Sequence, residues 1–288
     1  MKTDGLFSFK VVHIPVKYNK PIRIVPIGDV HYNNPAFARD IWDRDKKRWS
    51  EYCRHKDTYF ITTGDIFEAM STTERHHYIQ TGLHDSNKTR WEREYAREVK
   101  TFCKEVPFMI DRTIACAGGN HFFSFYDGTT SDMALASELH APYLGCSGYI
   151  ILILEIGGYS HVVKIFVNHG KSSGRKAGSS FNALEDAASY FVDADIVLMG
   201  HDHKSGAVTL PALKCDQGHG NWKIKAFDRI VARTGSYLKS YEPETRSYAH
   251  DALYRPSTLG GVELIITVNR VQRMKRPDDR WVSIKAVV

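Results

Sequence analysis

Ile22-Arg23-Ile24-Val25-Pro26-Ile27-Gly28-Asp29-Val30-His31 decides the fold: a short β-branched run meets a glycine, and two metal-type donors follow at once. An apolar run of this length bounded by a turn signal reads as a buried strand. The pattern recurs four times. Tyr59 to Thr62 runs into Gly64-Asp65, Thr113 to Ala117 into Gly119-Asn120-His121, Val162 to Val167 into Asn168-His169-Gly170, and Ile196 to Met199 into Gly200-His201-Asp202-His203. The donors therefore lie on loops after strand ends, the edge of an open α/β sheet where sites are built.

The donor types suit a pair of divalent cations. Two cations about 3.5–4 Å apart need a ligand that touches both, and a carboxylate has two oxygens for the purpose. Asp65 is the candidate bridge, with His31, His169, His201, His203 and Asp29 closing the sites and Asn120 adding a neutral amide oxygen. Two carboxylates offset only half the formal charge of two such cations. The positive remainder attracts an anionic phosphate, and a metal can lower the pKa of bound water from about 15.7 to roughly 7. Nitrogen and oxygen donors without thiolate suit Mn²⁺, the favoured expectation, or Fe²⁺ or Zn²⁺.

In succession, Asp-x-His, Gly-Asp, Gly-Asn-His, His and Gly-His-x-His resembles the calcineurin-like metallophosphoesterase superfamily, over residues 22 to 203. The resemblance implies an α/β fold, a four-layer α-β-β-α sandwich with two central mixed β-sheets. It implies one metal on Asp29, His31, Asp65 and His203 and the other on Asp65, Asn120, His169 and His201. His121 would be the catalytic general acid, a role worth typically 10²–10⁴ in rate. The implied reaction is two-metal hydrolysis of a phosphate ester by a hydroxide shared between the metals.

Two departures from the family pattern stand out. Phe122 follows Gly-Asn-His where members usually carry Asp or Glu, so the carboxylate that orients the histidine is missing or comes from elsewhere. Tyr32-Asn33-Asn34 follows His31 where a glycine is common. The second cluster, Gly64-Asp65-Ile66-Phe67-Glu68, is similar to that of the SbcD-like nucleases, phosphodiesterases and UDP-diacylglucosamine pyrophosphatases, and unlike the Gly-Asp-x-Val-Asp-Arg-Gly of phosphoprotein phosphatases. Phosphodiesterase or nuclease-like activity is thus expected, with a phosphomonoesterase, a nucleotide pyrophosphatase and a catalytically weak metal-binding scaffold as alternatives. Lys171 and Arg175 are candidate substrate contacts; Glu68 either supports a metal ligand from behind or contacts substrate, with a solvated surface carboxylate as an equal reading of it.

Composition agrees with a globular enzyme. The 288 residues are 42% hydrophobic and 25% charged, enough for a sizeable core with an ordinary surface. The longest apolar stretch, Tyr149 to Ile156, contains Glu155 and falls short of the roughly 20 residues that a membrane span needs. Met1-Lys2-Thr3-Asp4-Gly5 lacks the apolar core of a secretory signal, and the five widely spaced cysteines offer no Cys-x-x-Cys. A cytoplasmic protein without a membrane partner is expected. Residues 221–288 hold 13 Lys and Arg against 7 Asp and Glu, which accounts for the net charge of +6. That surplus suits a nucleic-acid or nucleotide partner, or else solvated basic strand edges.

One domain over 1–288 is the simplest organisation, with insertions near 69–90 and 122–147 and a basic, β-rich part at 206–288. Helices are expected at Ala36 to His55, Thr89 to Lys104, Met133 to Leu139 and Ala177 to Tyr190. Ile150 to Ile156 and His161 to Val167 should form a hairpin around Gly157-Gly158, followed by strands at Ala207 to Leu210, Ile230 to Arg233 and Val262 to Val268. The aromatics Phe122, Phe123, Phe125 and Tyr126 could stack on a base, but packing beneath their loop is the preferred reading. Gly170-Lys171-Ser172 is no phosphate-binding loop, because Ile165 stands where that motif needs a glycine.

Overall fold

Apolar side chains alternate along the central strands, so one strand serves two cores. The computed structural model describes residues 8–69, 85–171, 176–218, 221–241, 256, 258–272 and 279–288. In β2 (Pro21–Ile27), Ile22 and Ile24 enter one core while Val25 and Ile27 enter another. Burial on both faces is what its continuous apolar run required.

Strands β2, β3 (Thr58–Thr62) and β4 (Thr113–Cys116) lie parallel, joined by α1 (Arg39–Cys53) and α2 (Asp85–Glu105). Antiparallel β11 (Glu263–Val271) and β12 (Asp279–Val287) complete a five-stranded sheet in the order β12-β11-β2-β3-β4. The second sheet contains β1 (Ser8–Pro15), β5 (Ser147–Ile156), β6 (Tyr159–Asn168), β7 (Ile196–Met199), β9 (Asn221–Ser236) and β10 (Gly260–Gly261) in the order β1-β5-β6-β7-β9-β10, with β8 (Ser205–Gly218) also paired to β9. Both sheets mix parallel and antiparallel neighbours.

The sheets bury a shared aliphatic core, including Ile24, Ile61, Leu152, Ile165, Leu198 and Leu264. Each such side chain contributes about 1.5–3 kcal/mol on burial. The five-stranded sheet's other face packs on α1, α2 and α3 (Ser131–Glu138), and the second sheet's other face on α4 (Ala177–Tyr190). Helices therefore cover both outer faces, giving the α-β-β-α sandwich.

Several boundaries differ from expectation for identifiable reasons. Helix α1 begins at Arg39 because the preceding residues pair elsewhere: Ala38 N–H donates to the Tyr237 carbonyl at 2.7 Å and Lys239 N–H to the Ala36 carbonyl at 3.0 Å. Helix α3 starts at Ser131, with the Thr130 hydroxyl accepting from Met133 N–H at 3.2 Å. Helix α4 has the expected limits, and Gly157 and Gly158 take the left-handed φ values of +52° and +80° that suit a tight hairpin. Strands β8 and β9 far outrun Ala207 to Leu210 and Ile230 to Arg233, their outer parts pairing mainly with each other. No helix among the described residues is long and apolar enough to cross a membrane.

Candidate metal centre

The parallel strands of both sheets end at one rim, and backbone-directed bonds tie their loops together. Thr63, just past β3, accepts on its carbonyl from His169 Nδ1 at 2.8 Å, and its hydroxyl meets that of Thr234 on β9 at 3.1 Å. Asp29, just past β2, accepts on Oδ2 from His201 N–H at 2.7 Å. Its carbonyl takes the Ser236 hydroxyl at 2.8 Å and Tyr237 N–H at 3.0 Å. The loops carrying the donors thus meet across the two sheets.

Two of the seven expected donors reach each other through one amide. Asn120 Oδ1 lies 2.8 Å from His169 Nε2 and 2.7 Å from His201 Nδ1, and these two ring nitrogens are 3.2 Å apart. Asp65 Oδ2 approaches His169 Nε2 to 3.0 Å, while its Oδ1 accepts from Asn120 N–H at 2.7 Å and His121 N–H at 2.8 Å. Beside this group, His31 Nε2 faces His203 Nε2 at 3.2 Å, with Asp29 Oδ1 3.7 Å from the latter. Donor atoms within each of Asp29-His31-His203 and Asp65-His169-His201 all lie within 4.8 Å of one another. Asp65 belongs to the second group.

The donor orientation fits cations. Donation from Nδ1 of His31 to Glu68 leaves its Nε2 facing the Nε2 of His203 at 3.2 Å. Such facing acceptors need a proton or a cation between them. Asp29 Oδ1 is buried without a hydrogen-bond partner among the described residues. Burial pushes that carboxyl up to about 6, helped by the nearby Asp65 charge and opposed by His169.

Electrostatics divides the imidazoles. Burial alone would lower His169, but Asp65 and Asp29 push it up to about 9, so the carboxylates already hold positive charge there. The field that does this also attracts a metal. Asp65 goes the other way: burial would raise it, yet the hydrogen bond and charge of His169 hold it well below the usual carboxylate range. Burial and the neighbouring His31 push His203 down to about 3, and burial with His169 lowers His201. A neutral imidazole is the form that ligates.

The loops are held in costly conformations. Nine described residues other than glycine have positive φ, and five of them are Asp29, His31, Asp65, His201 and His203, at +48° to +74°. A left-handed non-glycine residue costs of order 1–3 kcal/mol and persists where its surroundings over-determine it. Packing against glycine permits the closest approach: a Cβ on Gly119 would lie 2.0 Å from Asp65 Oδ1.

Other candidates are placed as follows. His121 sits beside the donors, its Nδ1 2.7 Å from Glu68 Oε1. The opposite oxygen of Glu68 takes His31 Nδ1 at 2.6 Å, so Glu68 is half-buried among histidines and the solvated-surface reading of it is set aside. Lys171 is exposed one residue past Gly170, and Arg175 lies outside the described residues, as does most of the 69–90 insertion. Phe123 is buried and stacked on Tyr95 with centroids 4.6 Å apart, whereas Tyr126 is exposed.

Sequence reasoning missed the supports. Arg233, fully buried, donates to the Gly200 carbonyl at 2.6 Å and the Ser180 carbonyl at 3.3 Å, with its Nε 3.4 Å from Asp202 Oδ2. Asp132 accepts Gly119 N–H at 2.9 Å. An arginine inside an apolar run, Ile230-Val231-Ala232-Arg233, was the available signal for the first.

An α-β-β-α sandwich with histidines and carboxylates gathered at the strand ends defines a metal-binding phosphoesterase-type fold. The chain belongs to the calcineurin-like phosphoesterase family, whose model matches residues 22–205. The solved structures that the chain matches are distant in sequence. Vps29 with zinc from Entamoeba histolytica is 14% identical with a TM-score of 0.38, over 92% of this chain and 98% of that one. A predicted phosphoesterase from Streptococcus pneumoniae is 12% identical with a TM-score of 0.33, over 92% and 99%. GAP50 of Plasmodium, described as the anchor in the inner membrane complex, is 11% identical with a TM-score of 0.42, over 90% and 88%. No curated protein matches the chain significantly.

Proposed function

We propose that this protein is a metal-dependent phosphodiesterase that uses two divalent cations, Mn²⁺ in the first instance, on a nucleic-acid or nucleotide-type ester in the cytoplasm. The observation that carries the reading is the meeting of two donor groups, Asp29-His31-His203 and Asp65-His169-His201, with Asn120 Oδ1 between two imidazoles of the second. Asp29, His31 and His203 would hold one cation and Asn120, His169 and His201 the other, with Asp65 reaching both. Bound there, the pair would supply an acidified water and neutralise charge on phosphoryl oxygens.

The protein's own groups do the rest. His121 is raised in pKa: burial lowers it, but the Glu68 carboxylate 2.7 Å from its Nδ1 and the charge of Asp65 outweigh this, which favours the protonated ring. With Nδ1 turned to the Glu68 carboxylate at 2.7 Å, Nε2 is the nitrogen that would give a proton to a departing oxygen. The acidic Glu68 after Gly-Asp-hydrophobic-Phe supports a diester over a phosphoprotein.

Hydrolysis of bis-p-nitrophenyl phosphate and p-nitrophenyl phosphate with added Mn²⁺ separates the readings. Turnover of the diester, reduced about 10²-fold or more in His121→Ala with cations still bound, is the expected result. Preference for the monoester would make the protein a phosphomonoesterase. Inertness toward both, with metal bound, would make it a scaffold.

A further inference from the structure

The arm formed by β8 and β9 runs past the end of its sheet. Strand β9 pairs with β7 only through Ile230, Val231, Ala232 and Arg233, whereas β8 follows it from Thr234 down to Asn221. Before Ile230, β8 is the only strand partner of β9 among the described residues. At about 3.3 Å per residue, the arm reaches roughly 30 Å beyond that last neighbour. Strand β9 runs parallel to β7, towards the donor loops, so the turn of the arm lies at the end remote from the metal centre.

Alternation assigns the arm's two faces. Ile230 and Ala232 of β9 and Ala207 of β8 are turned to the other sheet, where they join the shared aliphatic core. Further out, the same parity brings Trp222, Ile224 and Ala226 of β9, with Cys215 and Leu213 opposite the last two. The five-stranded sheet leaves this stretch open: Leu213, Trp222 and Ile224 are 73%, 71% and 72% exposed. The arm therefore carries the inter-sheet face outward without an opposing layer from the described residues of its own chain.

A two-stranded ribbon is marginal in water unless its apolar face is packed. Those three side chains alone offer on the order of 450 Å², as much as the largest patch on an ordinary monomer. The five residues on the face include no acidic or basic group, so it offers no charge to a phosphate backbone or an anionic surface. An uncharged apolar face matches another of its own kind, and a two-fold axis sets like against like.

We propose that the arm joins two copies of this chain, the face of Leu213, Trp222 and Ile224 on one copy stacked on the same face of the other. Each copy then supplies the layer that the other's arm needs. Such stacking buries about 1,000 Å² in total, at the low end for a specific interface, so the dimer forms and dissociates in the micromolar range. With the arms pointing away from the donor loops, both metal centres stay open.

Sedimentation velocity of the full chain, from about 1 to 200 µM, tests this, with a monomer at the low end and a dimer at the high end expected. Ile224→Glu and, separately, Leu213→Glu should each raise the midpoint concentration about 10-fold or more, with circular dichroism and unfolding temperature at low concentration unchanged. Tyr190→Glu, which alters an exposed aromatic away from the arm, should leave the midpoint where it is. Tryptophan emission should move to the blue as the dimer forms, and Trp222→Phe should abolish that shift. A monomer throughout the range, or a dimer that both glutamate substitutions leave intact, would overturn the proposal. So would a monomer whose Trp222 emission moves only when an oligonucleotide or phosphatidylcholine vesicles are added, which would give the face to that partner instead.

Discussion

Gly119→Ala should remove the metal centre without altering a single donor. A Cβ there would lie 2.0 Å from Asp65 Oδ1, 2.3 Å from the Asp65 backbone nitrogen and 2.7 Å from its Cγ. A flexible side-chain tip could move aside, but the backbone nitrogen cannot, so one of the two loops must shift by roughly 1 Å. The shift stretches the bonds from Asn120 N–H and His121 N–H to Asp65 Oδ1, now 2.7 and 2.8 Å. Overpacking costs about 1–3 kcal/mol, and a hydrogen bond to a charged group is worth about 1.5–3 kcal/mol. These overlap, so about 3 kcal/mol of stability in the metal-free protein is a reasonable expectation, with Mn²⁺ affinity lowered at least about 10-fold. Thermal unfolding in chelator and calorimetric titration with Mn²⁺ give the two numbers. Gly178→Ala is the control, because nothing lies within 4 Å of its added Cβ and its φ is not left-handed; it should gain about 0.5–1 kcal/mol in its helix. Native Mn²⁺ affinity in Gly119→Ala would refute the packing of this loop on Asp65.

The metal-free protein should lose stability as pH rises from 6.5 to 9. His169 is raised from 6.5 to about 9, so its contribution is complete below 6.5 and vanishes through 9; the interval corresponds to at most ~3 kcal/mol. Asp29, raised from 3.8 to about 6, acts in the same direction at lower pH, its contribution complete below 3.8 and lost through 6. Unfolding temperatures in chelator from pH 6.5 to 9, above the range in which the lowered His203 and His201 act in the opposite sense, check this, and a flat or rising trend would contradict it. Metal should oppose the trend, since cations displace these protons, so the gain in unfolding temperature with Mn²⁺ should widen over that range. Arg233→Met should cost about 1–3 kcal/mol by leaving the buried Gly200 and Ser180 carbonyls without this donor. Chemical denaturation measures it, and a loss below 1 kcal/mol would remove Arg233 as the prop of the last loop.

The donor loops could be read in the letters because strand and chemistry coincide there: a β-branched run, a glycine, then donors. Burial on both faces made those runs continuous, as in Ile196–Met199, and their limits are easily seen. Strand β1 has one fully buried residue, Ile14, and an exposed outer part, so it carries no alternation to detect. The outer halves of β8 and β9 leave Leu213, Trp222 and Ile224 exposed, and only pairing between the two strands shows them to be strand. Within the site, residue types announced the donors, but neither the partnership of Glu68 with His121 nor the arginine beneath Gly200 could be read. Both depend on which loops meet across the two sheets, and that is set by folding at sequence separations of 53 and 33 residues.

The central claim is that Asp65 serves a pair of cations rather than one. Metal content per chain, measured after saturation with Mn²⁺ and removal of the unbound ion, tests it most directly when the unaltered protein is compared with Asp65→Asn. Two ions in the former and none in the latter are predicted. A single ion in the unaltered protein, or one site left intact in Asp65→Asn, would contradict it.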